Sequence, residues 1–263
     1  MRLAARGLAK TFAGGDVEAL ADVSIELAEG EFVSIVGPSG CGKSTLLAIL
    51  AGLTAPSAGE ITLDGAAPPG GLLGAIGYMP QRDLLMEWRT TLANATLGLE
   101  LAGVERGAAR ERAMAEVGRF GLAGFEDRRP SALSGGMRQR AALLRTFLAG
   151  RDVLLLDEPF GALDALTREA MREWLLWVWE ADRKTILLVT HDVEEAVFLS
   201  DRVYVLSGRP GRVRAEVAVA LPRPRTLELT ATPAFAQLKE RLLAPLRDEA
   251  RAAQRVTTTI DDD

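Results

Sequence analysis

The chain has 263 residues, enough for one large α/β domain or a core carrying a smaller inserted subdomain. Its 31 Lys and Arg against 36 Asp and Glu leave a net charge of −5, which argues against a duplex nucleic-acid binder, since such proteins are usually basic. A single cysteine excludes an internal disulfide and any multi-cysteine metal site, and it fits a reducing compartment. With no cationic leader and no long charge-free apolar run, the expectation is a cytoplasmic chain that is free to dock on a membrane protein.

The first elements read as short strands over residues 3–8 and 17–27, divided by Gly14, Gly15 and Asp16. They predict a small antiparallel sheet, with Phe12 in its turn, either packing in the core or free to stack on a base. A third apolar strand over residues 32–36 runs into Gly37, Pro38, Ser39, Gly40, Cys41, Gly42, Lys43, Ser44 and Thr45, and a helical pattern follows. This strand, glycine-rich turn and helix start match the phosphate-loop pattern, in which inward backbone N–H groups and a helix N-terminus hold a polyphosphate. Lys43 is expected to reach the β and γ phosphates, and the Ser44 hydroxyl to complete the shell of a bridging Mg²⁺. Cys41, near Lys43 and a helix start, is expected to favour its thiolate and to be open to alkylation. The loop alone does not choose among kinases, GTPases, helicases and transport ATPases.

Residues 59–65 read as a hairpin strand. Residues 75–79 read as a further strand stopped by Pro80, with Gln81 exposed just past its end. A helical insert is expected over about 82–150, the pattern being rich in Ala, Leu, Glu and Arg from residue 92. Inside it Ser134 is a suitable N-cap, and Gly135 and Gly136 leave N–H groups uncovered, which makes a second anion-holding helix start. A plain capped helix would fit Ser134 but has no need of the glycine pair.

Residues 153–157 form a continuous apolar strand ending in Asp157 and Glu158, suited to a parallel sheet covered on both faces. Asp157 is placed to hold Mg²⁺ and Glu158 to polarise an attacking water, although alone the pair reads more simply as solvated loop carboxylates. Asp164 precedes a long helix over residues 166–182, whose Trp174, Trp177 and Trp179 divide between packing and surface. A buried strand over residues 185–190 ends at His191, the only histidine. A lone histidine is usually structural, but Gly37, Asp157, Glu158 and His191 all follow the carboxyl ends of apolar strands, where an open α/β sheet gathers its ligands. A last core strand covers 203–206, and Arg209, Pro210, Gly211 and Arg212 turn into another hairpin. Thr232 and Pro233 open a terminal helix that Pro245 is expected to interrupt, with a disordered tail over 257–263.

In this order the phosphate loop, Gln81, LSGGM, LLLDEP, Asp164 and His191 resemble the ATP-binding subunit of ABC transporters. The resemblance implies a P-loop NTPase core over residues 1–225 with a mainly parallel sheet, an N-terminal antiparallel subdomain and a helical insert, followed by a C-terminal extension over 226–263. It implies ATP and Mg²⁺ as cofactors, and two copies paired head to tail so that Ser134, Gly135 and Gly136 of one close on the γ-phosphate held by Lys43 of the other. Gln81 then looks like the sensor, also reaching the metal, Asp164 like the intersubunit link, His191 like the γ-phosphate switch and Phe12 like the adenine-stacking position.

Met137, the Leu84, Leu85, Met86, Glu87, Trp88 run and Arg209 to Arg212 resemble the nitrate, sulfonate and taurine importer group, which also includes proteins moving thiamine precursors. Partners implied are membrane permease subunits on the inner face of the cell membrane and, indirectly, a solute-binding protein, with no nucleic acid. Leu84, Leu85, Met86 and Trp88 are expected to form an apolar groove for a permease helix or else to pack under the insert. Glu87 stands where Pro is expected, which predicts a less rigid loop. The competing readings are an ABC-type ATPase acting on DNA or ribosomes and a small-molecule kinase.

Overall fold

A computed structural model of the chain describes residues 3–12 and 17–260. Strands β1 (Leu3–Thr11) and β2 (Glu18–Leu27) pair antiparallel, and the Gly14, Gly15, Asp16 turn expected between them lies outside the described residues. Alternation in β2 buries Val23, Ile25 and Leu27 while Asp22 and Ser24 face solvent, the period-two pattern of a half-covered strand. The chain continues through β3 (Phe32–Val36) and α1 (Lys43–Leu50) to β4 (Ala58–Leu63), which pairs antiparallel with β1. The expected hairpin at this point is thus a long-range pairing, and the first sheet has the order β2-β1-β4.

After β5 (Gly77–Met79) come four helices, α2 (Thr91–Ala95), α3 (Leu97–Leu101), α4 (Arg106–Val117) and α5 (Gly135–Leu148). The chain then alternates through β6 (Val153–Asp157), α6 (Ala165–Asp182), β7 (Thr185–Val189), α7 (Val193–Leu199), β8 (Arg202–Leu206) and β9 (Val213–Ala218), and ends in α8 (Pro233–Ile260). The second sheet runs β5-β6-β7-β3-β8-β9, parallel throughout except for β9, which is the hairpin partner of β8.

Every residue of β3, β6 and β7 is buried, which explains their continuous apolar runs: a parallel sheet is covered on both faces. Phe32, Leu154, Leu156, Ile186 and Leu188 face the core shared with the helices, where Phe32 meets Trp179 edge-on at 5.6 Å. Val33, Ile35, Val153, Leu155, Leu187 and Val189 face the other core, under the first sheet and α1. Of the α6 tryptophans, Trp179 is fully buried and Trp174 half-buried, each with its indole N–H on a backbone carbonyl, while Trp177 is exposed over Arg119.

The C-terminal helix departs from expectation. It continues through Pro245 to Ile260, so residues 257–260 are helical, and residues 261–263 lie outside the described residues. Proline removes one backbone donor and crowds the preceding turn. Here the helix is anchored on both sides of it, by buried Phe235, Leu238 and Leu242 before and by Glu249 after. Among the described residues no helix is long and apolar enough to cross a membrane.

Candidate nucleotide site

Register brings the chemistry to one edge of the parallel sheet. Ile35 lies beside Val189 and Val189 beside Asp157, so the chain leaves β3, β6 and β7 at the same level into the phosphate loop, Glu158 and His191. Gln81 follows β5 at the same edge, and a cavity of about 540 Å³ opens there. Phe12, Lys43, Ser44, Gln81, Glu158 and His191 are among its lining residues.

The loop depends on glycine where it crosses β2. Gly42 has φ +101°, and a Cβ there would lie 2.7 Å from the Ala19 carbonyl oxygen. Gly42 is also the residue from which α1 starts, so the uncovered N–H groups of the helix begin inside the loop. Lys43 Nζ donates to the carbonyls of Gly37 at 2.8 Å and Pro38 at 2.9 Å, which holds its ammonium in the loop with further donor capacity.

Ser44 Oγ donates to Asp157 Oδ1 at 3.3 Å, joining the helix start to the end of β6. Burial pushes the Asp157 carboxyl above its ordinary range, the neighbouring Glu158 adds to this, and hydrogen bonds from Ser44 and Tyr78 with the charge of Lys43 oppose it. Tyr78 in turn is pushed up to about 12 by burial and by the Asp157 charge.

Glu158 has φ +45°, uncommon for a side chain of this size, and its N–H donates to the Val189 carbonyl at 2.8 Å. The bend turns its carboxylate into the cavity mouth. One oxygen, Oε2, accepts from Gln81 Nε2 at 3.2 Å and lies 3.3 Å from His191 Nδ1. A carboxylate oriented in this way beside a phosphate-holding loop suits the polarisation of a water molecule.

The structure brings together Phe12, the phosphate loop, Gln81, Asp157, Glu158 and His191. It does not bring Ser134, Gly135, Gly136 or Asp164 into this cavity. Ser134 caps α5 by accepting from Met137 N at 3.3 Å, and Ser134 and Gly135 are exposed. Asp164 caps α6 by accepting from Thr167 N at 3.1 Å, a contact that lowers its carboxyl pKa.

Two expectations are corrected. Cys41 is buried in the apolar core beneath the loop and burial raises its thiol pKa, so desolvation outweighs the nearby Lys43 charge and the thiolate is not favoured. The expected four-residue apolar groove is divided. Leu84 and Trp88 are 59% and 73% exposed, but Leu85 is 7% exposed and joins the core, and Met86 is half-buried. The segment is also tightly held despite Glu87. Asn94 bonds the backbone of Met86, Arg89 and Thr90, and Arg145 donates to the carbonyls of Asp83 and Leu84.

Two site residues escaped the sequence reading. Tyr78, which touches Asp157, looked like an ordinary strand residue, although it alternates with Met79 toward the other face. Arg209, which lines the cavity, was read as part of a turn and of the importer-group resemblance, with no place at the site.

Residues 20–161 match the family model described as ABC transporter. The chain belongs to this family. An ABC transporter ATP-binding protein of Methanocaldococcus jannaschii is 46% identical over 239 residues, spanning 90% of this chain and 88% of its own length. The taurine import ATP-binding protein TauB of Yersinia pestis bv. Antiqua is 50% identical over 195 residues, spanning 74% of this chain and 76% of its own. Among solved structures, a dimeric ATP-binding cassette in a post-hydrolysis state with ADP and Pi superposes with a TM-score of 0.73 at 32% identity, covering 84% of this chain and 100% of that one. This ABC protein binds and hydrolyses ATP and powers import. The reading as a DNA- or ribosome-directed ATPase finds no support among these relatives.

Proposed function

We propose that the chain hydrolyses MgATP as a head-to-tail pair with a second copy of itself, and that this drives uptake of a small sulfonate of the taurine type. Membrane permease subunits would carry the solute, a separate binding protein would deliver it, and the pair would sit on the inner face of the membrane. The observation that carries the pairing is the division of the anion-binding groups. Lys43 and Glu158 lie in one cavity, while the exposed helix start at Ser134 and Gly135 lies outside it. A second copy would supply to each cavity the N–H groups that the cavity lacks.

Each residue then has a defined task. The loop N–H groups and Lys43 hold the β and γ phosphates. Phe12, half-exposed at the rim with Lys10 Nζ 5.3 Å from its ring centre, offers a face for adenine. Ser44 Oγ and Asp157 Oδ1 are a hydroxyl and a carboxylate side by side, an oxygen donor set that would suit Mg²⁺. When bound there it would supply charge neutralisation. Glu158 accepts the proton of the attacking water at a carboxylate oxygen, while Gln81 and His191 keep that oxygen in place. Asp164, at the start of α6 beside the glycine pair, links the two copies; Gly136 lies near Thr167 of the same helix.

The substrate class rests on the taurine-import relatives. Cells lacking the chain are expected to lose uptake of labelled taurine and to regain it with the parent but not with Lys43→Ala, while nitrate uptake stays unchanged. Unimpaired taurine uptake in the deletion strain contradicts the assignment.

A further inference from the structure

The Arg209 guanidinium, on the wall of the same cavity, grips the phosphate loop at Gly40. Its Nε and Nη2 donate to the Gly40 carbonyl at 3.2 and 3.1 Å, a two-pronged contact on one oxygen. Gly40 has φ +75° and closes the turn in which Cys41 N donates to Pro38 O at 3.3 Å. A glycine peptide in such a turn reverses at little cost, and the C=O and N–H of a planar peptide point in opposite directions. Reversal would break both the Arg209 contact and the Cys41 N–H bond to Pro38 and would change the shape of the loop. A cation fixed on that carbonyl opposes this.

The turn that carries Arg209 is itself held in place. Gly211 exchanges two backbone bonds of 3.0 Å with Ala19 and Ala21 of β2, and a Cβ on it would lie 2.3 Å from the Cys41 carbonyl, so turn and loop are in direct contact. On the other side Gly208 N donates to Glu249 Oε2 at 2.9 Å, and Glu249 Oε1 takes Arg214 Nε at 2.8 Å. Glu249 belongs to α8, which also reaches the helix after His191 through Lys239 and Glu194 at 2.7 Å.

We propose that Arg209 is a positioning residue for nucleotide binding, holding the Gly40 carbonyl and with it the shape of the phosphate loop, and that Glu249 of the C-terminal helix keeps Arg209 there. This rests on the reading of the cavity as the nucleotide site. The chain of contacts runs from α8 through Glu249, Gly208 and Arg209 to Gly40, so the extension beyond the nucleotide core acts on the affinity of the loop. Arg209 takes no part in the chemistry proposed for Glu158.

The test measures MgATP affinity by fluorescent-nucleotide competition, together with the turnover rate at saturating ATP, on the full chain. Arg209→Ala is expected to weaken binding about ten-fold, the scale of a lost charged hydrogen bond, while saturated turnover stays within about two-fold of the parent. Arg209→Lys keeps the charge and loses the fork, so it should stay close to Arg209→Ala. Glu249→Ala should weaken binding about three-fold or more, and in combination with Arg209→Ala it should add nothing, because both act on one contact. Arg209 is exposed, so the thermal midpoints of its variants should match the parent. Lys43→Ala is the reference: if it keeps ATP, the nucleotide-site reading fails. If Lys43→Ala loses ATP and Arg209→Ala binds like the parent, the proposal alone is overturned. Full rescue by Arg209→Lys reduces Arg209 to a point charge and overturns positioning. An unchanged Glu249→Ala, or effects that add, removes the C-terminal helix from the account.

Discussion

Glu195 shows how a single buried carboxyl near the site makes stability depend on pH. It lies on α7 four residues after His191, it is buried, and burial pushes it up to about 8, with Asp192 adding to the shift and Arg172 and Arg168 opposing it. Because its folded pKa lies above the unfolded value, the folded state binds the proton more strongly between the two. Its contribution to stability is therefore present at low pH and is lost as pH rises toward about 8. Replacing it with Gln removes the titration and keeps the shape. The difference in thermal midpoint, Glu195→Gln minus parent, is expected to grow in favour of the variant from pH 5 to pH 8, and a difference that shrinks over that range contradicts a protonated Glu195. At this scale the gathering of Lys43, Ser44, Asp157, Glu158 and His191 at one candidate site was legible from residue type and strand ends. The site was not legible where burial decides, as for Cys41, because spacing shows which charges are near in sequence but not how much water is excluded.

At the scale of elements, the segment between β5 and α2 joins the nucleotide cavity to the helices. Gln81 touches Glu158 at one end, and Leu84 and Trp88 are exposed toward the other. Exposed apolar side chains on a tightly held segment suit a partner helix. Since Trp88 is exposed while Leu85 belongs to the core, Trp88→Ala is expected to leave nucleotide binding and the thermal midpoint unchanged and to reduce co-purification of the permease several-fold, whereas Leu85→Ala should lower the midpoint. Equal permease recovery from Trp88→Ala and parent counts against docking there. The buried parallel strands were readable because their apolar runs have no other use, and Ser134 was readable as a cap. The pairing of β4 with β1 and the passage of α8 through Pro245 were not, since both depend on contacts between residues far apart in sequence.

For the whole molecule, the groups proposed to hold one nucleotide are divided between two places on the chain. The cavity with Lys43 and Glu158 is not lined by the Ser134 helix start, which is why we propose that hydrolysis takes a partner copy placed head to tail. Two ordered motifs made this pairing an expectation from sequence by resemblance; their separation within one chain gives it a physical reason. The most direct measurement is light scattering of Glu158→Gln with and without MgATP. Loss of the base should slow turnover about 10²- to 10⁴-fold, so that bound ATP persists. Glu158→Gln is expected to form an ATP-dependent dimer that is far scarcer in the parent and absent when Ser134→Arg is added. A Glu158→Gln protein that binds ATP and stays monomeric, or one whose dimer survives Ser134→Arg, contradicts it.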